Sequence, residues 1–217
     1  TKKNLVMCSL RLLEVSKPII SQEYNIMLQE ADKIINLSTG DKEKAVEIYK
    51  KFAAQGNMYA IAGLGLCYCY AKGVECDIKK GIELIKQAIK AENPKGYNVM
   101  GLCYKRGIGV ERNLEKSVEY FLISAKLGFA AGQCNLGVAF LTGKGISKDY
   151  EKSVLWLEKA VEQDQASAFG LLGKCYREGK GVAKNLIKGF ELTKIAASQG
   201  CVLFQYELGN CYYNGCG

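Results

Sequence analysis

The chain of 217 residues is 48% hydrophobic and 24% charged, a balance typical of a folded protein with a substantial core. Its 30 lysines and arginines exceed its 22 aspartates and glutamates, and the formal charge of +8 favours acidic partners without itself indicating nucleic acid. The absence of histidine removes the usual general base and the imidazole metal ligands. Composition therefore excludes wholesale disorder and much familiar enzymology.

No membrane or secretion signal is visible along the chain. The longest nearly apolar stretch, Ile61 to Ala71, is about half of the ~20 residues that cross a bilayer. The start, TKKNLVMCSL, lacks an apolar signal core of convincing length. We therefore expect no membrane insertion and a cytoplasmic location.

One sequence pattern recurs every 36 residues without gaps. It reads LGLCYCYAKGV from Leu64, MGLCYKRGIGV from Met100, LGVAFLTGKGI from Leu136, LGKCYREGKGV from Leu172 and LGNCYYNGCG from Leu208. A fixed period of this size is typical of solenoid repeat proteins, in which each unit stacks on its neighbours. Residues 1–217 are therefore predicted to form a single α-solenoid.

Residues 1–56 precede the first complete unit. Shifting the repeat frame backwards predicts a helix from Gln22 to Asn36 in a degenerate repeat that lacks the glycine turn. A further helix over roughly Asn4 to Glu14, before Pro18, is expected to cap the end of the stack, as terminal repeats commonly do.

Four complete units follow, which we call units one to four: 57–92, 93–128, 129–164 and 165–200. Each divides into two helical patterns, and the second has apolar residues at the spacing of one buried helix face. An Asp or Asn precedes each second helix and is predicted to cap its free N–H groups: Asp41, Asp77, Asn113, Asp149 and Asn185.

Glycines mark the ends of the predicted helices. The pairs at 107/109 and 179/181 are expected to adopt positive φ where a first helix ends, and glycines 56, 128 and 200 to end second helices. Residues 201–217 then supply the first helix of unit five without its partner, so we expect a truncated fifth repeat and a fragment of a longer array.

These segments closely resemble the Sel-1-like repeat family, a relative of the tetratricopeptide repeat, over about Gln22 to Gly217. The resemblance implies an all-α fold, a right-handed α/α superhelix of helix–turn–helix repeats, whose first helices line a concave surface that binds other proteins. The chain departs from the family pattern at Ala71, Phe140, Gly81 and Gly189. We expect the last two to weaken their helices without changing the fold.

The ten cysteines raise the question of a metal or a disulfide. Four of them occupy the same position in different repeats, and neighbouring repeats are spaced ~10 Å apart, which is too far for a disulfide. These four are predicted to be core residues: Cys67, Cys103, Cys175 and Cys211. A thiolate cluster of Cys67, Cys69 and Cys76 would be an incomplete zinc site, so we expect no metal and no other cofactor. The cysteine pairs that staple secreted relatives are absent, which favours a reducing compartment.

Two other recurrent features are interpreted as structural. The Gly-Lys-Gly turns follow helices, whereas a phosphate-binding loop follows a strand and opens a helix. An aromatic stripe recurs once per repeat and is predicted to pack between the two helices rather than to stack on bases: Tyr68, Tyr104, Phe140, Tyr176 and Tyr212.

Tetratricopeptide geometry indicates which side chains of the first helices line the concave surface. The predicted partner-binding residues are Tyr59, Leu66, Tyr70, Asn98, Lys105, Arg106, Leu141, Lys174, Arg177, Asn210 and Tyr213, with Cys69, Lys95, Cys134, Val138, Glu178 and Tyr206 alongside. Apolar or aromatic groups in units one, three and five alternate with cations in units two and four. Such a groove suits a peptide with hydrophobic and acidic side chains or a terminal carboxylate, unless the cations form an ordinary solvated surface.

The leading functional hypothesis is a noncatalytic protein–protein interaction scaffold or adaptor. The alternative is a basic surface that binds RNA or another acidic polymer, for which the charge balance is the argument. Some cysteine-stapled relatives are linked to β-lactam binding or hydrolysis, but this chain has neither those cysteine pairs nor a Ser-x-x-Lys nucleophile. We therefore expect no enzymatic activity and no catalytic residues.

Overall fold

The computed structural model describes residues 25–36 and 41–213, and all regular structure in these ranges is α-helical. Residues 25–36 form helix α1, and the helices that follow are α2 (Lys42–Ala53), α3 (Met58–Tyr70), α4 (Ile78–Lys90), α5 (Pro94–Arg106), α6 (Leu114–Lys126), α7 (Ala130–Thr142), α8 (Tyr150–Val161), α9 (Ala166–Glu178), α10 (Leu186–Ser198) and α11 (Val202–Tyr213). The predicted all-α class is confirmed. Among these helices none is both long and apolar enough to span a bilayer.

From α3 onwards, odd-numbered helices are the first helices of units one to five, and even-numbered helices are the second helices. The helix predicted from Gln22 is present over 25–36, and its first residues lie outside the described part of the chain. The capping helix expected over Asn4 to Glu14 lies outside it as well.

The predicted caps of the second helices are confirmed. The side-chain oxygen of Asp77 accepts a hydrogen bond from the backbone N–H of Lys80 at 2.9 Å, and Asn113 accepts from Lys116 at 2.8 Å. Asp41, Asp149 and Asn185 make the same contact in their units. Each cap accepts a hydrogen bond from an N–H group that has no partner within the helix. These carboxylates and amides therefore have a structural role.

The turns after the first helices are left-handed, as the glycines predict. Gly107, Gly143 and Gly179 end α5, α7 and α9 with φ of 75°, 69° and 68°. Ala71 occupies the same position after α3 with φ of 51°, so the departure from glycine leaves the turn intact. The cost is the strain of a Cβ atom in a left-handed conformation, which glycine avoids.

Each first helix of units one to four packs closely against its second helix at one recurrent glycine. A Cβ atom on Gly65 would lie 2.8 Å from Ile85 Cγ1, and one on Gly101 would lie 2.6 Å from Phe121 Cε1. Gly137 and Gly173 meet their partner helices in the same way. The recurrent glycine therefore sets the distance between the helices of each pair.

The facing position on the second helix is Gly81, Ser117, Ser153 or Gly189. The Ser117 hydroxyl donates to the Gly101 carbonyl at 2.8 Å, and Ser153 donates to Gly137 at 2.8 Å. A Cβ atom on Gly81 would lie 2.9 Å from the Gly65 carbonyl oxygen. Gly81 and Gly189, expected only to weaken their helices, are thus sites of close helix approach.

Small clusters of buried side chains fill the space between the helices of successive pairs. Cys67, Cys103 and Cys175 are fully buried and Cys211 is nearly so, which confirms their prediction as core residues.

The aromatic stripe is less buried than predicted. Only Phe140 belongs to the core; the tyrosines at 68, 104 and 176 are half-buried, and Tyr212 is 63% exposed. The reason is that these rings lie at the edge of the helix pair, where lysines of the second helix cover them. The ammonium groups of Lys80 and Lys188 lie 4.4 Å and 4.1 Å from the ring centroids of Tyr68 and Tyr176, within the range of a cation–π contact.

Gly65→Ala should destabilise the protein by about 1–3 kcal/mol, since the new methyl group must displace Ile85 or the backbone of α4. The matched control is Gly209→Ala, at the same repeat position on α11, where a Cβ atom would meet nothing within 4 Å. The control should be neutral or stabilising by up to about 1 kcal/mol, the helix-propensity gain of alanine over glycine. Urea unfolding followed by circular dichroism compares the two, and equal effects would contradict the role of close packing.

Candidate functional site

The array curves towards its first helices. Helices α3, α5, α7 and α9 contact one another in succession, whereas no comparable contacts join the second helices of neighbouring units in the described part of the chain. We call the surface formed by α1, α3, α5, α7, α9 and α11 the inner face. The sequence-predicted binding residues all lie on these helices.

A buried ionic cluster joins three units at one end of the inner face. Lys95 on α5 is 5% exposed, and its ammonium group forms an ion pair with Asp32 on α1. The same ammonium group lies 3.9 Å and 4.6 Å from the ring centroids of Tyr59 and Tyr49. Both tyrosine hydroxyls donate to the Asp32 carboxylate. We call Asp32, Tyr49, Tyr59 and Lys95 the Asp32 cluster.

Every charge in the Asp32 cluster has a partner. Burial lowers the pKa of Lys95, and the neighbouring Asp32 carboxylate opposes that change. Burial, reinforced by Asp32, raises the pKa of Tyr49 and of Tyr59, so both stay protonated and donate. Tyr59 and Lys95, predicted to contact a partner, are therefore engaged within the array. No sequence signal indicated Asp32, because the pairing joins residues two repeats apart.

Two further side-chain contacts join different units at the same edge of the inner face. Asn98 is 5% exposed, and its amide oxygen accepts a hydrogen bond from Asn135 Nδ2 at 2.9 Å. The rings of Tyr59 and Phe129 meet edge to face with centroids 6.1 Å apart. The amino-terminal ends of the first helices thus contact each other through their own side chains, leaving Asn98 little surface for a partner.

The cations of unit four are also engaged. Arg177 pairs with Glu207 on α11 at 2.6 Å and donates to the Thr193 hydroxyl. Lys174 lies 3.9 Å from Glu178 on the same helix. Beyond them, Asn210 is exposed and Tyr213 is 91% exposed on α11.

The remaining predicted residues form an open surface in units one to three. Leu66, Tyr70, Lys105 and Leu141 are half-buried, and Arg106 is exposed. The Arg106 guanidinium lies 5.1 Å from the Tyr70 ring centroid. We call these five residues the open inner face. It combines apolar surface with cations, the character that the sequence indicated for the whole groove.

The cysteines do not gather into a metal-ligand set: no group of three or more His, Cys, Asp or Glu side chains suited to a metal occurs among the described residues. Cys67 is fully buried and Cys76 is exposed. Burial raises the pKa of Cys67 to about 12 and that of Cys175 to about 11. A raised pKa suppresses the thiolate, so these groups are inert in the folded protein.

Thiol labelling should therefore be selective. At pH 8, iodoacetamide should modify Cys76 in the native protein while Cys67, Cys103 and Cys175 stay unmodified until urea unfolds the chain. Peptide mapping by mass spectrometry locates each adduct. Rapid native labelling of Cys67 would contradict the packing of α3 against its neighbours.

Asp32→Asn should destabilise the protein by about 3–5 kcal/mol, because it leaves the Lys95 ammonium group buried without a counter-charge. The double variant Asp32→Asn with Lys95→Met removes both charges and should recover most of that loss. Urea unfolding measures both, and hydrogen exchange of the α1 amides locates the effect. A double variant as unstable as Asp32→Asn alone would contradict the charge-pair explanation.

Comparison with known proteins agrees with this architecture. A model of the Sel1 repeat matches residues 37–57, 59–93, 94–129, 130–165, 171–201 and 202–216, while a search of curated protein sequences found no significant match. A Sel1 repeat protein from Oxalobacter formigenes superposes with a TM-score of 0.67 at 23% identity, over 88% of this chain and 76% of that one.

Two further solved structures are similar. The protective antigen c5321 of uropathogenic Escherichia coli has a TM-score of 0.62 at 29% identity, over 93% of this chain and 44% of that one. The immunity protein Pa5087 of Pseudomonas aeruginosa has a TM-score of 0.60 at 23% identity, over 84% of this chain and 68% of that one. Since the repeat model matches most of the sequence at the observed helix pairs, the protein belongs to the Sel1 repeat family.

Proposed function

We propose that this protein is a noncatalytic interaction scaffold that binds a peptide or protein segment on the open inner face. Sel1 repeat proteins are generally protein–protein interaction scaffolds and are typically noncatalytic. A cytoplasmic location is part of the same proposal, and the absence from the sequence of the cysteine pairs that staple secreted relatives supports it.

The observation that carries the proposal is the contrast between two parts of one surface. In the Asp32 cluster, every polar group is matched by another group of the chain. On the open inner face, neither Lys105 nor Arg106 has an ion-pair or hydrogen-bond partner among the described residues, and the Arg106 guanidinium lies 5.1 Å from the Tyr70 ring centroid. A ligand that pairs with these cations and covers the neighbouring apolar groups would be bound favourably. The groups of the Asp32 cluster already have partners, so a ligand would gain little binding free energy there.

The apolar part of the open inner face supplies anchor points. Leu66 packs beside the buried cluster that contains Cys69 and Cys103, and Leu141 packs beside the one that contains Cys134. Both leucines are held by neighbouring core residues yet keep surface in contact with solvent. A rigid, half-exposed apolar side chain loses little entropy when a partner covers it, which is the usual setting of an interface hot spot.

The test begins with selection of peptides from a random displayed library on the intact chain. We expect binding peptides to emerge and their affinity to fall about tenfold, or about 1.4 kcal/mol, in Leu66→Ala and in Leu141→Ala. Fluorescence polarisation of a labelled selected peptide measures the change, and circular dichroism checks that each variant is folded.

The matched control is Leu155→Ala, which removes a leucine that is 51% exposed on the second helix of unit three. Its affinity should equal that of the unaltered protein. If no peptide is selected, or if Leu155→Ala weakens binding as much as Leu141→Ala, the open inner face is not the binding site.

A further inference from the structure

Four cations lie near one another at the carboxyl ends of the first helices in units one to three. Lys105 and Arg106 end α5, Lys72 follows the end of α3, and Lys144 lies in the glycine turn after α7. Arg106 acts electrostatically on both Lys72 and Lys105, and Lys144 acts on Lys105. We call these four residues the basic cluster.

The basic cluster has no carboxylate partner among the described residues. None of its four cations forms an ion pair there, whereas Lys95, Lys174 and Arg177 on the inner face each do. Burial lowers the pKa of Lys105, and the charges of Arg106 and Lys144 lower it further. Like charges held close together raise the free energy of the unliganded protein, and an anion would relieve that repulsion.

The Tyr70 ring packs beside the basic cluster. The ring lies 5.1 Å from the Arg106 guanidinium, and the Tyr70 hydroxyl is buried without a hydrogen-bond partner in the described structure. Lys72 is anchored by its ammonium group, which donates to the Ile35 carbonyl at 3.0 Å. Because the Tyr70 hydroxyl has almost no surface exposed to solvent, a ligand would contact the cations of the basic cluster and not this hydroxyl.

We infer that the basic cluster recognises the carboxylates of an acidic peptide segment, an inference that rests on the function proposed above. Neighbouring first helices lie about 10 Å apart, and an extended polyproline-like chain rises about 3.1 Å per residue. Acidic side chains three positions apart on such a chain therefore face cations of successive units. The apolar residues of the peptide, which lie between its acidic side chains, contact Leu66 and Leu141. Leu66 lies one turn before Tyr70, and Leu141 occupies in unit three the repeat position that Lys105 occupies in unit two.

The surroundings favour a peptide over RNA. Proteins that bind single-stranded RNA without sequence preference offer exposed aromatic rings on which bases stack. Here the Tyr70 ring is covered by Arg106, and the flanking apolar residues are leucines. Among the described residues, the most exposed tyrosines are Tyr206 and Tyr213, which lie on α11 in unit five, away from the basic cluster.

The test uses a fluorescein-labelled peptide of about twelve residues with glutamate at every third position and leucine or alanine between. A second peptide replaces each glutamate by glutamine, and a labelled oligouridylate of similar length represents RNA. The glutamate peptide should bind at least tenfold more tightly than the glutamine peptide, and rising salt should weaken only the former. Equal affinities of the two peptides would overturn the inference.

Lys105→Gln with Arg106→Gln should weaken the glutamate peptide at least tenfold. The matched control is Lys86→Gln with Lys90→Gln, which removes the same two charges from exposed positions on the second helix of unit one. The control should change the affinity less than twofold. Equal losses in both variants would mean that net charge, and not the basic cluster, attracts the peptide. Tighter binding of oligouridylate that is lost in the first variant would assign the cluster to RNA.

One single variant separates recognition from folding. Lys105→Gln should lower the affinity for the glutamate peptide several-fold while leaving the urea midpoint unchanged or raised, since it removes a half-buried charge that Arg106 and Lys144 repel. A drop in the midpoint with no change in affinity would overturn the inference. Loss of acidic-peptide binding only through Leu66→Ala or Leu141→Ala would overturn it while leaving the scaffold function standing.

Discussion

The close approach of two helix backbones at one glycine per unit is the contact on which the rest of the structure depends. Gly65, Gly101, Gly137 and Gly173 leave no room for a Cβ atom, so each first helix lies directly against its second helix. That distance brings the small residue on the facing helix, Gly or Ser, within reach of the carbonyl group opposite. Repetition of one pair geometry then stacks the units and turns all first helices to the same face.

Because the array curves, the two edges of the inner face differ in how their charged side chains are paired. At the amino-terminal ends of the first helices, side chains two repeats apart meet, and Lys95 reaches Asp32 across the intervening unit. At the carboxyl ends, Lys105, Arg106 and Lys144 come near one another without a carboxylate among the described residues. At one edge the charges are therefore paired within the chain, whereas at the other an anionic ligand can relieve the repulsion between the cations.

This division accounts for the character of the proposed binding surface. Stability is supplied by the close packing of the helix pairs, so the open inner face can keep cations that have no carboxylate partner among the described residues. Proteins commonly tolerate such locally unfavourable features where a partner will satisfy them. The acidic-peptide inference follows from that balance of charge, and the scaffold proposal follows from the apolar residues beside it.

The repeat period, the helix pairs, the caps and the left-handed turns could all be predicted from the sequence, because each depends on residues close together in the chain. Asp77 caps α4 through the N–H group three residues later, and Gly107 ends α5 wherever that helix lies. The period, with tetratricopeptide geometry, also placed the proposed binding residues on the first helices. Which of these side chains are already engaged within the chain depends on the tertiary structure: Asp32 is 63 residues from Lys95, and Glu207 is 30 from Arg177. These pairings depend on how sharply the array curves, a sum of small rotations between units that no local pattern encodes.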